Sequence, residues 1–128
     1  MKLLLDTHIW IWLLHSPERL GSRAHQELAN TENELWVSPV STWEALMLHA
    51  KGKVNLGKDL DDWLARATAG TREAPLTHEI YLAARQLTLH PDAADRFLAA
   101  TAQVLDLVLA TADQRLLGLG QIRTMANR

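Results

Sequence analysis

The sequence predicts an α/β fold: one domain spanning residues 1–128, with a central, mostly parallel sheet of four to five short strands flanked by helices. Three observations predict it. Short apolar runs alternate with segments of helical periodicity along the chain. The runs are apolar throughout, as strands are when helices cover both faces of a sheet. The length of 128 residues suits one domain, and no repeat, low-complexity tract or linker divides it.

In order, KLLL (2–5) is a short buried strand. A helix over 7–15 follows and stops near Ser16-Pro17, because proline disfavours helix at the residue before it. Ser22 is the expected N-cap of a second helix running to about Asn30. ELWVS (34–38) is the second strand. Ser41 is the expected cap of a third helix ending near Gly52, and Ser41-x-x-Glu44 has the form of a capping box. Residues 60–70 form a fourth helix closed by Gly70. Residues 72–76 form a third strand. Thr77 caps a helix through about Thr88, and Asp92 starts a long one through about Leu105. LVLATAD (107–113) holds the fourth strand, Asp113 begins a short helix, and QIRTMA (121–126) is a fifth, edge strand.

Composition narrows the function classes. Hydrophobic residues make up 48% and charged residues 22%, which excludes a disordered chain. With no cysteine there is no disulfide framework, thiolate zinc site or cysteine nucleophile. No apolar stretch approaches the roughly 20 residues that span a membrane. An acid at position 6 interrupts any signal-peptide core. The expectation is a cytoplasmic protein with no membrane partner. The net charge of −2 and pI near 6.3 argue against a nucleic-acid binder, unless the acids are gathered and neutralised.

The acids are distributed in a way that bears on this. In open α/β sheets, ligands bind outside the carboxyl ends of the strands. Asp6 follows the first strand and Asp113 the fourth. Glu44 lies early in the helix after the second strand, and Asp95 in the first turn of the helix opened by Asp92. All four can face one sheet edge. Four carboxylates cannot converge uncompensated, since like charges raise each other's pKa. A hard divalent cation, Mg²⁺ or Mn²⁺, resolves the conflict. Such a site binds phosphates, acidifies water and stabilises charge on a transferring phosphoryl group.

Each acid also has a local reading. Asp6 and Asp113 can cap the helices they precede, and Glu44 can be the capping-box partner of Ser41. Asp92 and Asp95 suit a helix dipole. Their common position at one end of the sheet favours chemistry.

DTHIWIW, VSPVSTWEAL, HPDAADRFLAATA and LATADQRLL, in that order, resemble the four acidic motifs of the PIN-domain ribonucleases, and more narrowly the VapC-type toxins of bacterial type II toxin–antitoxin pairs. The resemblance runs from Lys2 to about Leu117. It implies a PIN-like domain that cleaves RNA with Mg²⁺ or Mn²⁺, pairs as a homodimer and is silenced by a small antitoxin. Carried over residue by residue, it implies Asp6, Asp95 and Asp113 as metal ligands, with Glu44 as ligand or water-orienting group. Asp92 falls in an auxiliary place, and Thr111 is the polar residue before the last acid. With the four acids neutralised the formal charge becomes +2, and RNA could be tracked by Arg96, Lys51, Lys53 and Arg66. Two places depart from the pattern. Leu48 stands where many relatives have lysine, and Ala93 where many have proline.

Other residues are weighed against plainer roles. His8 is expected at a helix start with a local hydrogen bond, and Thr7 and Thr111 as caps or phosphate contacts. Trp10 and Trp12 fall on different helix faces; one packs on the sheet and the other meets a dimer mate or the antitoxin, with base stacking ranked below packing. Trp43 is expected as a core anchor that fixes Glu44. A phosphoaspartyl phosphatase is excluded because His8 stands where that class needs a second acid. A housekeeping RNA-processing PIN nuclease, or a non-catalytic RNA- or protein-binding PIN module, remains the alternative; the latter is expected to lack one or more of the acids.

Overall fold

Lys2–Leu5 forms β1, at the centre of a sheet whose other strands are β2 (Glu34–Val37), β3 (Arg72–Glu73), β4 (Val108–Thr111) and β5 (Arg123–Ala126). A computed structural model describes residues 1–89 and 91–128. The order is β3-β2-β1-β4-β5, and every pairing is parallel. The helices are α1 (Thr7–His15), α2 (Ser22–Ala29), α3 (Pro39–Ala50), α4 (Leu60–Thr68), α5 (His78–Ala84), α6 (Ala93–Val104) and α7 (Gln114–Leu117). The expected fold class and strand positions hold, with β3 reduced to two residues at one edge.

The alternation of side chains along a strand divides the core in two. Leu3 and Leu5, with Val108 and Ala110 beside them, face α1–α4, where Ile9, Trp10, Ala45 and Trp63 pack. Leu4 and Leu109 face the opposite layer, against Ile80, Leu98, Ala99 and Leu116. Leu3, Leu4 and Leu5 are fully buried, and each contributes roughly 1.5–3 kcal/mol of transfer free energy. This is why KLLL shows no alternation: both faces of β1 are covered.

The chain runs from β1 outward to β2 and β3, then returns to lay β4 and β5 on the other side. The direction of travel therefore reverses between β1 and β4, which opens a crevice at their carboxyl ends. The Asp6 amide donates to Ala110 O at 3.0 Å and joins the two strands there.

Two helix starts differ from expectation. Ser38 caps α3, accepting from the Val40 amide at 3.1 Å, and Pro39 is the first helical residue. Proline suits that place because its fixed φ is helical and no amide is lost. Ser41 is thus inside the helix, no capping box forms, and Glu44 moves to the second turn. Gly21, not Ser22, precedes α2, whose Arg23 and Ala24 amides donate to Arg128 O. A Cβ at Gly21 would meet the Arg128 backbone at 1.8 Å, so only glycine admits this closure. The expected caps Thr77 and Asp92 do cap α5 and α6, although α5 ends at Ala84 rather than near Thr88. No helix among the described residues is long and apolar enough to cross a membrane.

Candidate active site

Asp6, Glu44, Asp92, Asp95 and Asp113 line one open pocket of about 450 Å³, with His8, Trp12, Ala112 and Arg115. Asp6 leaves β1 as the N-cap of α1, and Asp113 leaves β4 as the N-cap of α7. The local reading of these two acids is therefore true, and compatible with the pocket. Asp92 caps α6, accepting from the Asp95 amide at 3.1 Å, which sets Asp95 in the first turn. Glu44 comes from α3.

Asp6 is the most enclosed of the acids, 8% exposed. Its Oδ1 accepts from the Thr7 amide at 2.7 Å and its Oδ2 from Thr111 Oγ1 at 2.6 Å. Thr111 Oγ1 also accepts from the Asp113 amide at 3.0 Å. Its one proton is thus aimed at Asp6. Burial pushes the Asp6 carboxyl above the usual carboxylate range, the Thr111 and Thr7 hydrogen bonds pull it back, and nearby Asp113 pushes it up again.

Thr7 Oγ1 lies 2.5 Å from Glu44 Oε1 and 3.0 Å from Ser41 Oγ. A hydroxyl has one proton, so with Thr7 donating to Glu44 the Ser41 contact takes its proton from Ser41. Burial also raises the Glu44 pKa, opposed by the Thr7 hydrogen bond and reinforced by Asp6. Both acids are raised chiefly by burial, with a smaller contribution from the neighbouring acids.

Asp113 is held differently. Its Oδ1 accepts from the Arg115 amide at 2.8 Å, and Arg115 Nη2 stands 3.1 Å from its Oδ2. This pairing holds its carboxyl below the usual range, against a smaller opposing effect of burial. The same Nη2 lies 3.8 Å from Asp95 Oδ2. Arg115 is the pocket residue that sequence reasoning missed; one arginine two places after an acid carries no motif, and only the fold brings Asp95 within its reach.

The remaining expected residues separate clearly. Arg96 does not line the pocket; its guanidinium donates to the carbonyls of Ala84, Leu87 and Leu89, closing the end of α5. In this place it supports the end of α5 rather than the pocket. Lys51, Lys53 and Arg66 are exposed, with Arg66 paired to Asp62 at 2.9 Å on α4. Leu48 packs on the α1–α4 core, so its place sends no charge to the pocket. Ala93 opens α6 behind the Asp92 cap, where proline would also be tolerated. Trp43 is 61% exposed and anchors no core. It lies one residue from Glu44, and on a helix that turns it away from the Glu44 direction. Trp10 is the tryptophan on the sheet: its Nε1 donates to Ala67 O at 3.3 Å and its ring meets Trp63. Trp12 forms a wall of the pocket between His8 and the Arg19 guanidinium. His8 is exposed in the pocket, and its charge opposes the raised pKa values of Asp6 and Glu44.

The donor set suits a hard divalent cation: five carboxylates and no soft ligand line the pocket. Among the described residues, however, no three acidic or histidine side chains are already gathered closely enough to hold a metal ion. Their oxygens are engaged by the threonines, backbone amides and Arg115.

Residues 3–120 match the family model of the PIN domain. The chain is similar to Ribonuclease VapC22 of Mycobacterium tuberculosis, 30% identical over 115 residues and 88% of each chain. Its fold is similar to a chain of VapBC2 from Rickettsia felis, solved bound to a DNA fragment from its promoter, with TM-score 0.73, 14% identity and 98% of each chain covered. It is also similar to a chain of a toxin–antitoxin complex from Klebsiella pneumoniae, with TM-score 0.66, 20% identity and 98% of each chain covered. The acids at the β1–β4 crevice thus lie within a matched domain, and the chain belongs to the PIN-domain family.

Proposed function

We propose that the chain is a metal-dependent endoribonuclease, the VapC-type toxin of a toxin–antitoxin pair, hydrolysing RNA phosphodiesters. The observation that carries this is the pocket at the β1–β4 crevice, which the buried Asp6 lines together with acids from three other segments. The ribonuclease name of the similar VapC22 and the likeness to a chain of a toxin–antitoxin complex support it.

Asp6, Asp95, Asp113 and Glu44 would hold the Mg²⁺ or Mn²⁺, with Asp92 fixing the turn that presents Asp95. Such a cation supplies charge compensation and Lewis-acid stabilisation of phosphoryl oxygens. The chain does the rest. Thr111 and the Thr7 amide fix both oxygens of Asp6, so the carboxylate enters the pocket in one orientation. Thr7 Oγ1 holds one oxygen of Glu44. The coupled carboxylates together accept the proton of the attacking water, since interacting acids titrate as a group. Attack in line with the leaving oxygen breaks its P–O bond, and the departing oxygen takes up a proton from the carboxylates or solvent, leaving a phosphomonoester and a free hydroxyl. The crevice between sheet and helix starts favours an anionic substrate once the acids are neutralised.

The partners proposed are the RNA substrate, a small antitoxin and a second copy of the chain; the exposed Trp43 and Leu82 side chains offer apolar surface for protein contacts. The location proposed is the cytoplasm. Induced expression tests the reading: wild type without antitoxin should arrest growth and Asp6→Asn should not. A harmless wild type overturns the toxin reading.

A further inference from the structure

The position of Arg115 carries an inference that rests on the metal reading of the site and deepens it. One guanidinium nitrogen, Nη2, reaches Asp113 Oδ2 at 3.1 Å and Asp95 Oδ2 at 3.8 Å. These carboxylates come from α7 and α6, and both are pocket acids. The point between two such oxygens is where a bridging cation is best compensated. Arg115 thus places a positive charge at that point on this side of the pocket.

The hold is weak by construction. The Arg115 side chain is 62% exposed against 25% for Asp113 and 17% for Asp95, and its Nε contact with Asp113 Oδ1 is long at 3.4 Å, so water reaches the guanidinium and can replace it. A divalent ion matches a pair of carboxylates with twice the charge, and it cannot share that point with a guanidinium. Displaced, the guanidinium stays tethered at the rim by the short α7 turn. There its planar fork is suited to a phosphate, with two parallel N–H···O bonds available.

We propose that Arg115 is an exchangeable internal cation: it bridges Asp95 and Asp113 when no divalent ion is bound, and when one binds it turns to grip a backbone phosphate of the RNA. Arg115 thus lowers the affinity for the divalent ion and raises the affinity for RNA. The two effects have opposite signs, which a structural role cannot produce, since loss of fold weakens both.

The test compares wild type, Arg115→Gln and Arg115→Lys. Mn²⁺ binding is measured by calorimetry on RNA-free protein, and KM and kcat on a fluorescent single-stranded RNA at saturating Mn²⁺. Arg115→Gln should bind Mn²⁺ about three- to tenfold more tightly, as expected for removing a like charge close by in water. Its KM for RNA should rise about tenfold with kcat little changed, as for loss of a contact made equally in ground and transition states. Arg115→Lys keeps the charge, so its Mn²⁺ affinity should stay near wild type while its KM rises, because an ammonium cannot make the paired contact. If wild type binds no Mn²⁺, the metal reading itself fails and this inference with it. If wild type binds Mn²⁺ but Arg115→Gln binds it equally or more weakly, the site stands and the role of Arg115 is overturned. An unchanged KM in Arg115→Gln overturns the phosphate grip.

Discussion

Thr111 donates its hydroxyl proton to the buried Asp6 carboxylate at 2.6 Å while accepting the Asp113 amide at 3.0 Å. One side chain on β4 thus orients the acid that ends β1 and anchors the acid that follows β4. Thr111→Val, nearly isosteric, removes both bonds. It leaves a buried carboxylate oxygen without its donor, at a cost of about 1–3 kcal/mol in stability. Residues that orient metal ligands typically contribute about 10–100-fold in metal affinity or activity, and a loss in that range is expected. Urea unfolding and RNA cleavage of the variant check the two figures. A variant with wild-type activity contradicts the positioning role.

Stability should depend on pH in an unusual direction when no metal is bound. The folded pKa values of Asp6 and Glu44 are raised, first by burial. A group held in this way binds its proton more tightly folded than unfolded. Its stabilising contribution is complete below its unfolded pKa of about 4 and is lost as pH rises through the folded value. Asp113, lowered by Arg115, acts in reverse: its contribution exists above its unfolded pKa and is lost as pH falls through its folded value. In EDTA the contribution of Asp6 and Glu44 to the melting temperature should therefore grow as pH falls from neutral towards about 4, while that of Asp113 falls away below it. Mn²⁺ should stabilise most at neutral pH and least in acid, because its ligands must be deprotonated. Melting curves between about pH 4 and 8 measure this. Asp6→Asn should show a smaller climb, and an equal climb contradicts the assignment to Asp6.

Arg96→Ala tests a structural arginine. Its guanidinium satisfies three carbonyls at the end of α5, and hydrogen bonds to charged groups contribute about 1.5–3 kcal/mol. A stability loss of that size is expected in urea. Cleavage well below the melting temperature should retain its KM and its salt dependence, since Arg96 lies outside the pocket lining. A flattened salt slope would restore the reading of Arg96 as a phosphate contact.

Two tryptophans give a paired prediction. Trp10 is buried between the sheet and α4, and Trp10→Ala should cost about 3–5 kcal/mol. Trp43 is exposed, and Trp43→Ala should change monomer stability by less than about 0.5 kcal/mol. Thermal melts at low protein concentration measure both. A large loss in Trp43→Ala would restore its role as anchor of Glu44.

Much of the site is legible in the sequence because strand ends are legible. LLL stops at Asp6 and LVLAT stops ahead of Asp113, and a parallel sheet sends both ends to one edge. Asp92 and Asp95 follow from helix-cap chemistry. The errors arise where two local signals compete. Ser38-Pro39 and Ser41-x-x-Glu44 both resemble a helix start; proline decides for the first, so Glu44 lies one turn deeper and contacts Thr7 rather than its own helix amide. The buried face of α3 is carried by Ser41 and Ala45, so Trp43 faces outward. Arg96 and Arg115 look alike in the sequence, and only tertiary placement sends one to carbonyls and the other to the acids.

The most direct measurement is cleavage of a single-stranded RNA by purified protein, followed with Mn²⁺, with EDTA, and with Asp113→Asn in Mn²⁺. Cleavage should occur with Mn²⁺, stop in EDTA and return when Mn²⁺ is restored. Asp113→Asn, still folded by circular dichroism, should lose at least about 100-fold in rate, the lower range for a displaced acid or base in catalysis. Cleavage undiminished in EDTA, or undiminished in Asp113→Asn, contradicts a divalent-cation site built from Asp6, Glu44, Asp95 and Asp113.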